Sequence, residues 1–308
     1  INCVFSHVLA VCGIVGNMLN VAVFAQRNMK NNTNILFAWL SFNDVVFSCT
    51  QVISRLESVV RKFDATLATS VYICYNAYVY FWNQVALASS VYLVGVVAVE
   101  RTVAVCFPFS AFRIVTSARV KLAIGLGYLL VIGLSSPWLF LFNVEWVTDP
   151  GTNRTVARMV GTEFLATHFR FITHDLYIAI NVVLFYAPVA VISACTVMTT
   201  VGLAAFSRNR RLLSAAAAVV TSVKRKREMK SARTAVILCV MIVVLVFVPT
   251  GVLEMMTVYS PNYFNDNQVY ILRCLQTVAY EASCAFNLVI YLMTSSKFAK
   301  TFKKLFCS

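Results

Sequence analysis

The sequence predicts an all-α protein, a bundle of seven membrane-spanning helices closed by a short amphipathic helix at the carboxyl end. Three observations carry that expectation. Of the 308 residues, 60% are hydrophobic and only 12% charged, against about 25% charged in a soluble domain. The apolar residues gather into seven long blocks. The basic residues fall between those blocks, mostly in alternate connections. With 23 Phe and a mean hydropathy of +0.77, one aqueous core could not hide this much apolar surface, so lipid must serve as part of the solvent.

A spanning helix needs about 20 mostly apolar residues. The stretches that qualify are roughly 3–26, 34–59, 74–105, 120–142, 174–205, 231–258 and 267–294, which together form a single domain over 1–308. The second opens on the Asn31–Asn34 cluster, a pattern suited to a helix N-cap. The third and fifth are the longest. The fourth holds Gly125, Gly127 and Pro137, the fifth Pro188 and the sixth Pro249. Such residues are tolerated inside spans because neighbouring helices satisfy the freed backbone groups. The run Ala215–Ala218 extends a helix into the connection before the sixth span. Residues 296–306 alternate Phe and Lys at helical spacing, as a helix lying on a membrane surface does.

Charge sets the orientation. One set of connections, including Lys224, Arg225, Lys226, Arg227 and Lys230, carries 19 of the 26 Lys and Arg. The positive-inside rule places that set, and the carboxyl end, in the cytoplasm and the amino end outside. The net charge of +14 therefore reports topology rather than nucleic-acid binding, since no aromatic-interleaved basic patch accompanies it. The chain opens at Ile1 without a signal segment, which implies a natural start further upstream, on the outer side. Of two glycosylation sequons, Asn153-Arg154-Thr155 lies outside, beside the turn-forming Asp149-Pro150-Gly151, and Asn31-Asn32-Thr33 lies inside. The ten cysteines form no zinc-type pairs, and most fall within apolar blocks as small hydrophobes.

Polar groups in hydrocarbon are costly, so each within a span asks for a reason. Asn17, Asp44, Ser90 and Asn287 sit near mid-depth of the first, second, third and seventh spans. Gly16-Asn17, Leu40-Ser41-Phe42-Asn43-Asp44, Glu100-Arg101-Thr102 with Pro108 and Phe109, Pro188, Phe247-Val248-Pro249 and Asn287-Leu288-Val289-Ile290-Tyr291 follow in order. Through these six motifs nearly the whole chain resembles the rhodopsin-like G-protein-coupled receptors. Asp149 to Thr155, with Ser295-Ser296-Lys297-Phe298, is further similar to gastropod chemosensory-receptor-like orphans, some of which group with peptide receptors.

The resemblance implies a plasma-membrane receptor with no enzymatic activity. It would bind an extracellular peptide or small polar molecule and activate a heterotrimeric G protein, with arrestin as a further partner. Asp44 and Ser90, with Asn17 and Asn287, would hold a sodium ion as allosteric modulator; otherwise the cluster is a neutral polar hub joining helices. Glu100 and Arg101 would hold the inactive state through an ion pair, where the plainer alternative is an arginine reaching for headgroups. Pro249 and Tyr291 would belong to the switch. Phe109 would anchor the G protein or simply touch lipid. Acidic lipid would also attract the basic inner connection. Cys307, just past the amphipathic helix, is a palmitoylation candidate or a free thiol.

Helical register turns Arg55, Glu57, Tyr80, Asn83, Gln84, Tyr177, Asn181, Phe247, Glu254, Arg273, Thr277 and Glu281 toward an outer pocket. Both signs of charge there suit a peptide or zwitterion, or form a solvated rim. Glu281 would be either a ligand contact or a protonated acid bonded to a neighbouring helix. It occupies the position that resembles the retinal-bearing lysine of visual pigments, and the seventh span has no Lys, which excludes a retinal Schiff base. Asn83 stands where aminergic receptors carry Asp, which disfavours a monoamine. The chain departs from the family pattern at Thr102, Thr196, Phe247, Leu288 and near Gly127 or Tyr128. The family disulfide also lacks its second cysteine, since none lies between Cys106 and Cys195. The rival class is a channel or transporter, against which stand the odd span count and the missing inverted repeat.

Overall fold

In the computed structural model, residues 2–26, 29, 31–151, 153–212, 232–241, 243–244 and 266–307 are described. Helix α1 (Asn2–Phe24) packs along α2 (Asn32–Ser54), and a further turn, α3 (Leu56–Val60), extends the second span. Asn31 caps α2 by accepting the Asn34 N–H at 2.8 Å. The two helices approach closely at Gly13, where an added Cβ would lie 2.7 Å from the Ser48 hydroxyl.

The third span is longer than its apolar block. It begins with α4 (Ala65–Cys74), passes through a π-helical turn at Tyr75–Val79 and continues as α5 (Tyr80–Cys106). Its 42 residues extend about 63 Å at 1.5 Å per residue, twice the hydrocarbon thickness of about 30 Å. The α4 end therefore stands clear of the bilayer core. After the short α6 (Pro108–Ile114), the fourth span is α7 (Ser117–Ser135), finished by a 3-10 turn at Ser136–Phe140 that contains Pro137. In α7 the backbone at Gly127 lies under the Tyr92 ring; a Cβ there would fall 2.0 Å from Cε1. The Tyr92 hydroxyl donates to the Ala123 carbonyl at 2.9 Å, and Tyr128 donates to Asn43 Oδ1 on α2 at 2.9 Å.

The fourth and fifth spans are joined by a feature that hydropathy does not reveal. Strands β1 (Phe142–Asp149) and β2 (Arg154–Gly161) pair antiparallel, from Phe142 with Gly161 to Asp149 with Arg154. This hairpin sets the hairpin end of the bundle, opposite the tail end that carries the carboxyl helix. Asp149 organises the turn, accepting the Gly151 N–H on its side chain and the Asn153 N–H on its carbonyl. Among the described residues Asn153 is the non-glycine residue with positive φ, at 51°, a conformation asparagine tolerates better than most side chains.

The hairpin is tethered to α4 without a disulfide. The Ala157 N–H donates to the Ser70 hydroxyl at 3.1 Å in a buried setting, and Arg154 pairs with Asp64 at 2.7 Å. Asp64 also caps α4, accepting the Thr66 and Leu67 N–H groups. The Leu67 N–H, the Arg154 charge and the Thr66 N–H hold the Asp64 carboxyl below its ordinary value, against the opposing effect of desolvation. Cys74 is a free thiol.

The fifth span runs from α8 (Glu163–Arg170) through π turns at Phe171–Leu176 and Val182–Tyr186, with α9 (Tyr177–Asn181) between them, into α10 (Ala187–Leu212). The second π turn precedes Pro188, whose missing N–H cannot continue an α-helical ladder. Of the sixth span, Ala232–Met241 is a short apolar helix, α11. The seventh is α12 (Asp266–Thr294), followed by the amphipathic α13 (Ser296–Phe306). Five helices among the described residues are long and apolar enough to cross a membrane. Phe298 of α13 is fully buried against Phe24 and Tyr291, at 5.0 and 5.5 Å between ring centroids.

Candidate functional site

Three polar clusters lie at different depths of the bundle. The middle one centres on Asp44. Its carboxylate accepts from the Ser90 hydroxyl at 3.1 Å and from the Asn287 carboxamide at 2.6 Å, so the second, third and seventh spans meet on one side chain. Asn17 stands beside this group rather than on Asp44: it donates to the Cys284 carbonyl at 2.9 Å and receives Asn20 on its own oxygen. A cavity of about 10 Å³, lined in part by Asp44, Ser90, Ser283 and Asn287, adjoins the carboxylate. That is room for about one water.

Toward the hairpin end the bundle opens into a pocket of about 610 Å³. Of the twelve residues that helical register points there, eight line it: Glu57, Tyr80, Asn83, Gln84, Tyr177, Asn181, Arg273 and Thr277. Asn83 also donates to the Thr50 hydroxyl at 2.7 Å, which ties α5 to α2 at the pocket floor. Phe247 and Glu254 lie outside the described residues. Sequence reasoning missed several lining groups, among them Tyr72, Tyr75, Gln51 and Gln276. Tyr72 lies on α4, beyond the apolar block of the third span, and Tyr75 on the π turn at that block's start.

Arg55 and Glu281 correct the expectation, because neither lines the pocket. They form an ion pair with each other between the second and seventh spans. Glu281 is 0% exposed and also accepts the Ser6 hydroxyl at 2.6 Å. Register alone turns both toward the bundle axis. Burying an ionised carboxylate is costly unless a compensating charge lies beside it, and Arg55 supplies one.

At the tail end, Glu100 and Arg101 form a buried ion pair. Thr33 on α2 contributes the third member: its hydroxyl lies 3.1 and 3.2 Å from the two Glu100 carboxylate oxygens and also meets the Arg101 guanidinium. Local pattern does not single out Thr33, since a lone threonine at a helix start reads as part of a cap. Thr102, where the family carries tyrosine, bonds toward the fifth span, to the Cys195 carbonyl at 3.1 Å and the Thr199 hydroxyl at 3.0 Å. Phe109, on the short helix α6, is 98% exposed. Tyr291 is buried in an aromatic cluster with Phe24, Phe37 and Phe298. Pro249 and the basic run 224–230 lie outside the described residues. Asn153 sits exposed in the hairpin turn, and Cys307 is exposed just past α13.

These clusters sit on a chain whose residues 16–291 match the sequence profile described as "7 transmembrane receptor (rhodopsin family)". The chain belongs to this family of multi-pass membrane proteins. Among curated relatives it is similar to the "FMRFamide receptor" of Drosophila melanogaster, at 22% identity over 98% of this chain and 53% of that protein. It is also similar to the "Growth hormone secretagogue receptor type 1" of Sus scrofa, 29% identical over 51% of this chain and 41% of that protein. The human protein of the same name is 29% identical over 46% of this chain and 38% of that protein. The chain thus spans about half the length of the curated relatives it matches.

Proposed function

We propose that the protein is a G-protein-coupled receptor for a peptide or small polar ligand, with the hairpin end outside the cell and the tail end in the cytoplasm. The observation that carries this reading is the third span, which runs unbroken as α5 from the pocket to the Arg101 ion pair. Asn83 and Arg101 are 18 positions apart on it, about 27 Å along the axis. A ligand that binds one bundle arrangement more tightly than another shifts the population between them. Through a rigid helix that shift reaches the Glu100–Arg101–Thr33 cluster. Releasing Arg101 frees its guanidinium for a G protein, with Phe109 as an apolar anchor; arrestin would use the same face. The names of the relatives, receptors for FMRFamide and for a growth hormone secretagogue, support a peptide ligand.

The Asp44 cluster suits a sodium ion. Asp44 and Ser90 offer hard oxygens, and the cavity beside Asp44 leaves room for about one water. Asp44 and Ser90 would hold the ion, which would supply positive charge that keeps the carboxylate ionised between helices. Asn153 is placed to carry a glycan outside the cell, and Cys307 a palmitoyl group beside the inner leaflet.

Reconstitution in nanodiscs with heterotrimeric G proteins tests the reading. Agonists found by second-messenger screening of peptide libraries should accelerate nucleotide exchange on the Gα subunit. Ion flux through liposomes bearing the protein, with no effect on exchange, would favour a channel or transporter.

A further inference from the structure

The charges around the pocket narrow the chemistry of its ligand, given the receptor reading above. Several ionised groups in the hairpin half already have partners. Glu57 lines the pocket, but its carboxylate accepts from Arg61 Nε at 2.6 Å one helical turn away. Arg55 and Glu281 neutralise each other in the interior. Asp64 pairs with Arg154, and Asp175 with His174 at 2.9 Å.

Of the two charged side chains among the described lining residues, Glu57 and Arg273, only Glu57 has an ion-pair partner. Arg273 lines the pocket from α12 and has no carboxylate partner among the described residues. Its charge acts on the phenol of Tyr80, which is itself hydrogen-bonded to Gln84. Arg273 is exposed within this pocket, and its guanidinium is a planar, permanently charged anion receptor. Phenol and carboxamide groups beside it can donate to the same anion. A cationic ligand would meet no unpaired carboxylate among the described lining residues.

We propose that the ligand presents a carboxylate to Arg273, with its aromatic or apolar body lying along Tyr72, Tyr75 and Tyr177. The carboxylate forms charge-assisted hydrogen bonds with the guanidinium, assisted by the Tyr80–Gln84 pair. Arg273 thus sets the charge specificity of the pocket.

The test uses the full chain in nanodiscs and three probes that differ only in the charged group or nearly so: N-acetyltyrosine, N-acetyltyrosinamide and tyramine. Affinity is read from thermal stabilisation across a concentration series. The acid should bind at least about tenfold more tightly than the amide, with tyramine weakest. Arg273→Gln should remove the acid's advantage, and Arg273→Lys should restore part of it. Absence of stabilisation by the acid, equal binding of acid and amide, or preference for tyramine overturns the proposal, and the wild-type comparison alone decides this. Nucleotide exchange on the same preparation tests the receptor reading separately. Exchange driven by any agonist keeps the receptor reading and leaves the anion site to the binding comparison. An Arg273-dependent preference for the acid supports the anion site whatever the exchange assay shows.

Discussion

Glu281→Gln separates an interior ion pair from a ligand contact. In the native bundle Glu281 is fully buried, and Arg55 retains 13% side-chain exposure. Removing one partner of a buried pair leaves an uncompensated charge and costs about 3–5 kcal/mol. Water reaching the exposed part of Arg55 favours the lower end, about 3 kcal/mol. At about 2–4 °C per kcal/mol for a chain of this order of size, the melting temperature should fall by about 6–12 °C. Arg55→Met should cost a similar amount by stranding the carboxylate beside Ser6. The double variant Arg55→Met/Glu281→Gln strands no charge, so its cost should fall short of the sum by at least about 2 kcal/mol. Unfolding midpoints of the four proteins in mixed micelles close this cycle. Additive costs, or singles within about 0.5 kcal/mol of wild type, refute the pair. Unchanged stability with lost agonist potency would instead return Glu281 to the pocket wall.

Other substitutions probe the remaining clusters. Ser70→Ala removes the partner of the buried Ala157 N–H, so the hairpin should loosen from α4 by about 1–3 kcal/mol, seen as faster hydrogen exchange at Ala157 with the helix core unchanged. Because the folded Asp64 carboxyl is held below its ordinary value, its contribution is present at neutral pH and lost as pH falls below about 4; Asp64→Asn should flatten the acid dependence of hairpin exchange. Gly127→Ala places a methyl 2.0 Å from the Tyr92 ring and should destabilise by about 1–3 kcal/mol or more. Gly133→Ala, with nothing within 4 Å, is its matched control and should leave the melting temperature unchanged or slightly raised. Thr33→Val removes a charge-assisted bond worth about 1.5–3 kcal/mol and should raise basal nucleotide exchange about tenfold; unchanged basal exchange would mean the cluster does not restrain the bundle.

What the sequence made legible follows from cost. Asp44, Ser90 and Asn287 stand out because hydrocarbon penalises polar groups, and that penalty is what drives them together. The spans were legible for the same reason, to within a few residues at α1 and α12. The hairpin was hidden because the apolar block ending near 142 runs into β1. The alternation of Asn143-Val144-Glu145-Trp146-Val147 before the turn at Asp149-Pro150-Gly151 is the short hairpin signal that this apolar block masks. The Arg55–Glu281 pair depends on which of two inward-facing partners each charge meets, and register along one helix cannot say. Thr33 matters through α5, 67 residues away from Glu100 in sequence, and local pattern carries no trace of such a contact.

The account rests on the ligand pocket and the Arg101 cluster facing opposite sides of the membrane. Two epitope tags, one inserted in the hairpin turn between Gly151 and Asn153 and one after Ser308, measure this in living cells. Antibody should reach the hairpin tag on intact cells and the terminal tag only after permeabilisation. Labelling of both tags from the same side would contradict the account.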